Sequence, residues 1–320
     1  MKKVKLLTSK FSVFSICVCT LLIVYVLSVT GVLFWGLLTS LKSYLDFGLM
    51  GNVIGLPDLQ YSKDALLFRN YRLAIEYTMS LALGNNSYYS SLFGFIEFRP
   101  RSVPFWEMIA NSFIYSTLCS AAHVICVMTV SYLCAKFKYA FSKILNTMML
   151  LVMMIPIVGT APAKVTLMRD LGLSSNYIGM IILNFHFTGM YYFIFHAHFQ
   201  GMSDTYTEAA CLDGASQIQI FVKIIIPLSA KMMGTIFVLS FIGGWNGYQD
   251  SLLFFPAQPT LSYGLQRITS GGTSSIQNAE VQSLPVMVAA CMILALPLIV
   301  LFLSMKDVIL GSMTMGGVKE

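Results

Sequence analysis

From Phe11 to Leu41 the chain carries no charged residue. A helix rises about 1.5 Å per residue, so such a run crosses the roughly 30 Å hydrocarbon core of a bilayer with length to spare. Five further uncharged runs follow: Met108–Ala135, Ile144–Ala163, Leu171–Ser203, Met232–Gln249 and Val281–Met305. Each covers the ~20 residues a spanning helix needs, Met232–Gln249 only just. Charged residues make up 11% of the chain and hydrophobic ones 57%, against about 25% charged in a soluble domain. The expected fold class is therefore all-α, a polytopic membrane protein with six transmembrane helices.

The first run is about twice the ~7–15 residues of a secretory signal core and lacks a small-residue cleavage site, so it is read as an uncleaved anchor. Lys2, Lys3, Lys5 and Lys10 precede it. With that end inside, six spans also return the C-terminus to the inside. Lys136, Lys138, Lys143, Lys223, Lys231, Lys306 and Lys319 then fall on the same side, and the whole net charge of +6 lies there. Outside, basic and acidic residues balance. This bias is what the positive-inside rule expects of a cell-membrane protein with both termini cytoplasmic.

The organisation that follows is residues 1–41 as cytoplasmic N-terminus and anchor, 42–107 as an extracytoplasmic segment, 108–305 as the transmembrane core and 306–320 as a cytoplasmic tail. Within 42–107, the spacing of Leu66, Leu67, Leu73 and Tyr77 predicts a helix over 62–83. Pro156 and Pro297 fall inside the third and sixth runs, where proline kinks a spanning helix.

Between the fourth and fifth runs, at about 203–228, lies a polar interruption, TEAACLDGASQIQIFVKIIIPL from Thr207 to Leu228. Glu208, Ala209 and Ala210 precede Asp213, Gly214 and Ala215. The pattern predicts two short helices broken at Gly214, because glycine accepts the backbone angles of a sharp bend. Ser203 or Thr205 is placed to cap the first, with Glu208 three residues after Thr205 as in a capping box. The charge bias alone puts this loop in the cytoplasm.

Glu208-Ala209-Ala210, Gly214 four residues on, and the Ile226-Pro227-Leu228 end resemble the EAA loop of bacterial ABC importer permeases. Other stretches carry the same resemblance: Asn111-Ser112 with Ser131–Lys136, Met154-Ile155-Pro156 with Leu171-Gly172-Leu173, and the Gly311–Lys319 tail, similar to that of the smaller permease of maltose-type importers. The resemblance covers about Asn70 to the end. The chain departs from the pattern at Met202-Ser203, where Ile-Pro is usual, at Ser312 and Glu320 in the tail, and in a longer first outer loop. The resemblance implies the type I ABC importer permease fold and ATP-driven, binding-protein-dependent uptake, of a carbohydrate or oligosaccharide, with a polyol, phosphodiester or amino acid as alternatives. It also implies the partners: a second related permease, two ABC ATPase subunits carrying ATP and Mg, and an extracytoplasmic solute-binding protein. In that family the EAA loop docks on the ATPase, which gives Glu208, Ala209, Ala210, Asp213, Gly214 and Ala215 their expected role.

This chain is expected to be neither catalytic nor cofactor-bound. No GxxxxGK[ST] phosphate loop is present, nor a Ser-His-Asp or HExxH arrangement. Its seven cysteines lie in apolar runs or in the 203–228 loop, and no Cys–His spacing suits a metal. The modest net charge gives no sign of nucleic-acid binding. No Asp, Glu, Lys or Arg lies near a predicted mid-span position, which counts against a secondary carrier or channel. His123 and His186 read as hydrogen-bonded packing residues rather than ligands, and His196 and His198 as neutral histidines near the cytoplasmic interface. Trp245, Asn246, Tyr248 and Gln249, at the end of the fifth run, offer amides and aromatic faces to a sugar, or form an interfacial aromatic belt.

Overall fold

The computed structural model describes residues 13–66, 68–81, 89–90, 96–97, 103–137, 139–155, 159–256, 258–270 and 280–314. Lys2, Lys3, Lys5, Lys10, Lys138, Pro156 and the tail from residue 315 lie outside them. The described residues are overwhelmingly helical, with one two-residue hairpin, Tyr89–Ser90 against Ile96–Glu97. The chain divides into two compact units, Met1–Ala74 with Ile276–Met292, and Ile75–Ser275 with Ile293–Glu320.

In the first unit, α1 (Val13–Ser40) is a continuous helix. Leu22, Ile23, Val24, Tyr25, Val26 and Leu27 are each more than half exposed. Six consecutive residues point all round a helix of 3.6 residues per turn, so α1 has no water-facing polar side. The segment after it forms a π-type turn, Leu45–Leu49. The helix predicted over 62–83 is two pieces, Lys63–Leu66 and α2 (Arg69–Leu81), separated where Phe68 takes a left-handed φ of 61°.

The second unit is built on α3 (Phe105–Lys136), which the second uncharged run foretells to within a turn. Its Asn111-Ser112 pair ties down distant segments. Ser112 Oγ accepts from Leu261 N at 2.7 Å, Asn111 Nδ2 donates to Pro259 O at 3.3 Å, and Tyr177 OH donates to Asn111 Oδ1 at 3.0 Å.

Where the sequence predicts single third and fourth spans, each run is divided. The third gives α4 (Ala140–Met154) and α5 (Thr160–Asp170). The residue before a proline is disfavoured in the helical region, and Ile155 has extended angles, φ −89° and ψ 116°. The fourth gives α6 (Tyr177–Asn184) and α7 (Met190–Gly201). They part at Gly189, whose φ of 125° suits glycine and little else.

After α8 (Thr205–Leu212), α9 (Gln217–Leu228) bends by 72° into α10 (Ala230–Asn246). Pro227 lacks the amide that would bond four residues back, and α9 widens into a π-type turn at Phe221–Ile225. Short helices α11 (Tyr248–Phe254) and α12 (Leu261–Thr269) precede α13 (Leu284–Thr314). Pro297 sits inside α13, which runs on past the predicted end at Met305.

Among the described residues, three helices are long and apolar enough to cross a membrane: Phe14–Ser40, Phe105–Lys136 and Leu284–Asp307. The bent α9–α10 pair makes a fourth if it counts as one span. The other two of the six predicted spans have no single helix of that kind.

α3 packs against α10, α7 and α6. Near its end, Tyr132 meets the rings of Phe199 and Phe221 at 5.4 and 5.0 Å. This aromatic layer joins α3, α7 and α9, so the 203–228 loop packs on the end of α3 through its own Phe221.

Candidate functional site: a broken-helix loop and a polar cavity

The 203–228 loop has the broken-helix form its sequence predicts. α8 ends with Ala215 N bonded to Ala210 O and Gly214 N to Cys211 O, both 3.0 Å. That pair of bonds is a Schellman ending, which needs a left-handed residue just past the helix. Gly214 supplies it, with φ of 80°. Ala210 is buried and Ala215 half-buried in the cluster that holds Tyr132 and Phe199, while Glu208, Ala209, Asp213 and Gly214 are exposed. The alanine pair thus divides its labour: Ala210 seats the helix and Ala209 faces outward.

The expected capping box is not on α8. Its N-cap is Asp204, with no side-chain capping bond; Ser203 Oγ accepts from Thr205 N instead. The box lies on α9, where Ser216 Oγ accepts from Gln219 N at 3.3 Å and Gln219 Oε1 from Ser216 N at 2.8 Å. Ser216 has the extended angles a cap requires (φ −69°, ψ 156°), whereas Asp204 is already helical (φ −71°, ψ −17°). The start of the loop is held differently. Lys136 Nζ, at the end of α3, donates to Met202 O and to Asp204 Oδ1, each at 2.6 Å.

The loop shows an apolar surface. Leu212 is 89% and Ile218 76% exposed, and Tyr206 and Val222 about half. Large side chains in water at the tips of two short, well-capped helices are the makings of a docking surface.

The second feature is a cavity of about 280 Å³ inside the second unit. From α3 it is lined by Tyr115, Ser120 and His123; from the α6 end and the α6–α7 break by Asn184 and His186; from α10 by Ser240, Gly243 and Gly244. Asp250 closes one side, and Tyr115 OH donates to its Oδ2 at 2.8 Å. His123 Nδ1 lies 3.1 Å from His186 O, and the two rings are 4.6 Å apart. Ser240 Oγ is buried without a hydrogen-bond partner, an arrangement folded proteins leave mainly where water or a ligand completes it.

Of the residues expected on the substrate path, none lines this cavity. Trp245 is buried; it stacks 5.9 Å from Phe241, and its Nε1 donates to Leu294 O at 3.1 Å. That carbonyl is next to Ile293 O, which loses its helical partner to Pro297. Asn246 and Gln249 are exposed and Tyr248 is half-buried. The cavity instead takes the residues just before and just after them. Tyr115 and Asp250 are 135 positions apart, and no local spacing signals their pairing. The glycine pair Gly243-Gly244 is the one local signal.

Family comparison assigns residues 128–314 to the binding-protein-dependent transport system inner membrane component family. The sn-glycerol-3-phosphate transport system permease protein UgpE of Salmonella typhi is 27% identical over 64% of this chain and 71% of its own length. That of Escherichia coli (strain K12) is 29% identical over 48% of this chain and 54% of its own length. A chain from the crystal structure of a bacterial ABC transporter involved in the import of the acidic polysaccharide alginate superposes with a TM-score of 0.67 at 21% identity, covering 94% of this chain and 98% of that one. At that identity the likeness speaks for the fold. The match covers more than half the chain, including the 203–228 loop and most of the cavity. The chain therefore belongs to the binding-protein-dependent transport system inner membrane component family and is a permease subunit rather than an enzyme.

Proposed function

We propose that this permease passes a neutral, hydroxyl-rich solute of carbohydrate type through the cavity between α3, α6, α7 and α10. The observation that carries this reading is the cavity lining. Hydroxyls, an amide and imidazoles converge there with one unpartnered serine oxygen, Ser240 Oγ. Such groups exchange hydrogen bonds with sugar hydroxyls, and Tyr115 and Tyr191 offer ring faces. No lysine or arginine is among the lining residues, and Asp250 is. A phosphate or carboxylate would meet the like charge of Asp250 there, and the cation nearest in effect, Lys164, acts on His186 from outside the lining. The relatives named for sn-glycerol-3-phosphate and the neighbour named for alginate support the polyhydroxylated class; the lining argues for a neutral member of it.

The remaining assignments rest on the loop and the charge bias. The loop lies in the cytoplasm and receives an ABC ATPase that binds ATP and Mg. Two such ATPases, a second related permease and an external solute-binding protein complete the importer. Both termini of this chain face the cytoplasm. Leu212 and Ile218 are the groups the ATPase covers, while Asp213 and Gly214 shape the bend between them. Asn246 at the end of α10 and Gln249 at the start of α11, both exposed, stand at the approach to the cavity.

Reconstitution of the importer with its binding protein tests the substrate class. ATP-dependent uptake of a neutral oligosaccharide or polyol is expected. Uptake of sn-glycerol-3-phosphate alone would contradict the reading.

A further inference from the structure

The segment that follows α1 turns its polar groups inward and its apolar groups outward. Lys42 and Asp46 are fully buried, 0% and 1% exposed. Lys42 Nζ donates to Asn52 O at 2.7 Å and Val53 O at 3.2 Å. The Asp46 carboxylate accepts from Asn52 Nδ2, Asp58 N and Ser62 Oγ at 2.9, 2.9 and 2.6 Å. Between Asp46 and Asp58 the sequence, FGLMGNVIGLP, carries no charge. Its large side chains stand in the open: Ile54 is 83% and Leu56 72% exposed, and Leu49, Met50 and Val53 about half or more.

One hydrogen bond fixes the height of this surface. Trp35 Nε1, inside α1, donates to Val53 O at 2.9 Å. Trp35 lies five residues before the helix end at Ser40, so the chain has folded back by roughly 7 Å along the helix axis. At that level it lies beside the last turns of α1, whose own apolar side chains, Val32, Leu33 and Phe34 among them, are exposed. The apolar surface of the loop therefore continues the apolar surface of a membrane-crossing helix. Irregular backbone is tolerated at that depth where its polar groups are met internally, and here Lys42, Trp35 and Asn52 donate to the carbonyls of Asn52, Val53 and Leu56. Tryptophan at this level also suits the headgroup boundary.

We propose that residues 47–57 are a membrane-embedded hairpin that sinks Leu49, Met50, Ile54 and Leu56 into the lipid beside α1 and anchors that end of the helix in one leaflet. The surface fits acyl chains, which need no matching hydrogen-bond donors or shape. The partner is a lipid bilayer rather than a protein.

The test uses the full chain with its co-purifying subunits in lipid nanodiscs, its seven native cysteines replaced. Ile54→Cys, Leu56→Cys and, as the aqueous control, Lys63→Cys are each labelled with bimane. At Ile54 and Leu56 the account expects blue-shifted emission, strong quenching by lipids bearing an acyl-chain nitroxide and little by iodide. At Lys63 it expects the reverse. Iodide quenching at Ile54 and Leu56 as strong as at Lys63 puts the segment in water and overturns the proposal. Protection from both quenchers at these sites also overturns it, and would mean that a partner subunit covers the surface.

Discussion

The Lys136 ammonium stands 2.6 Å from both the Asp204 carboxylate and the Met202 carbonyl, so the central helix α3 holds the start of the 203–228 loop at two points. The two points are unequal. Asp204 is 70% exposed and the Lys136 side chain 12%. An ion pair open to solvent on one side contributes about 0–1 kcal/mol. A charged donor on a carbonyl contributes about 1.5–3 kcal/mol. Asp204→Asn is therefore expected to leave uptake near normal, while Lys136→Met separates ATP hydrolysis from transport. Equal losses in the two variants, measured as binding-protein-stimulated ATPase and uptake, would contradict the unequal weighting.

The cavity gives a second prediction. A β-carbon added at Gly243 meets no atom within 4 Å, so the backbone tolerates a side chain there and the side chain enters the open space. Gly243→Leu is expected to block uptake with normal insertion and subunit assembly. Ser240→Ala removes the unpartnered oxygen and is expected to weaken transport by about tenfold or less, the ~1 kcal/mol of one hydrogen bond. Normal transport by Gly243→Leu would place the solute's route elsewhere.

The buried knot after α1 gives a third. Burial pushes the Asp46 carboxyl pKa up, but hydrogen bonds from Ser62, the Asp58 amide and Asn52, with the Lys42 charge, outweigh it and hold the pKa below the ordinary carboxylate value. A carboxylate with a lowered folded pKa stabilises fully above its unfolded pKa, and loses that effect as pH falls through the folded value. The knot should thus hold unchanged from pH 7 down to about 4, near the unfolded value, and loosen only below that. Asp46→Ala strands its three donors at a cost of order 1–3 kcal/mol for each left unsatisfied. Hydrogen exchange across 42–62 should rise in that variant at pH 7, and in the parent only in stronger acid.

How far the sequence reveals this molecule depends on the range of the interaction. The extent of α3, the two-piece loop and the bend at Gly214 follow from local chemistry: an uncharged run, a glycine, a proline. The break before Pro156 has its cue in Pro156, yet an uncharged run reads as a continuous span because hydropathy is blind to backbone angle. The S/T-x-x-E spacing fits Thr205 and Glu208 and points to a cap at the start of α8. Ser216–Gln219 fits as well, and only the angles of Ser216 and Asp204 separate the two. The cavity was least legible. Tyr115, His123, Ser240 and Asp250 come together through packing of α10 on α3, whereas the aromatic and amide side chains of Trp245–Gln249 stand out in the sequence because they are clustered locally.

The loop itself provides the most direct test. Gly214 is left-handed at φ 80°, and a β-carbon there meets nothing within 4 Å. Gly214→Ala should cost only backbone strain, about 1–2 kcal/mol. Gly214→Asp adds to that strain a charge that docking would bury, at several kcal/mol, where tenfold in affinity is about 1.4 kcal/mol. The decisive measurement is ATPase co-purification, with binding-protein-stimulated ATP hydrolysis and uptake, in Gly214→Asp importer that inserts normally. Loss of the ATPase or of coupling, with abolished uptake, is the predicted result. Retained ATPase and normal transport would show that this loop does not couple ATP hydrolysis to the path.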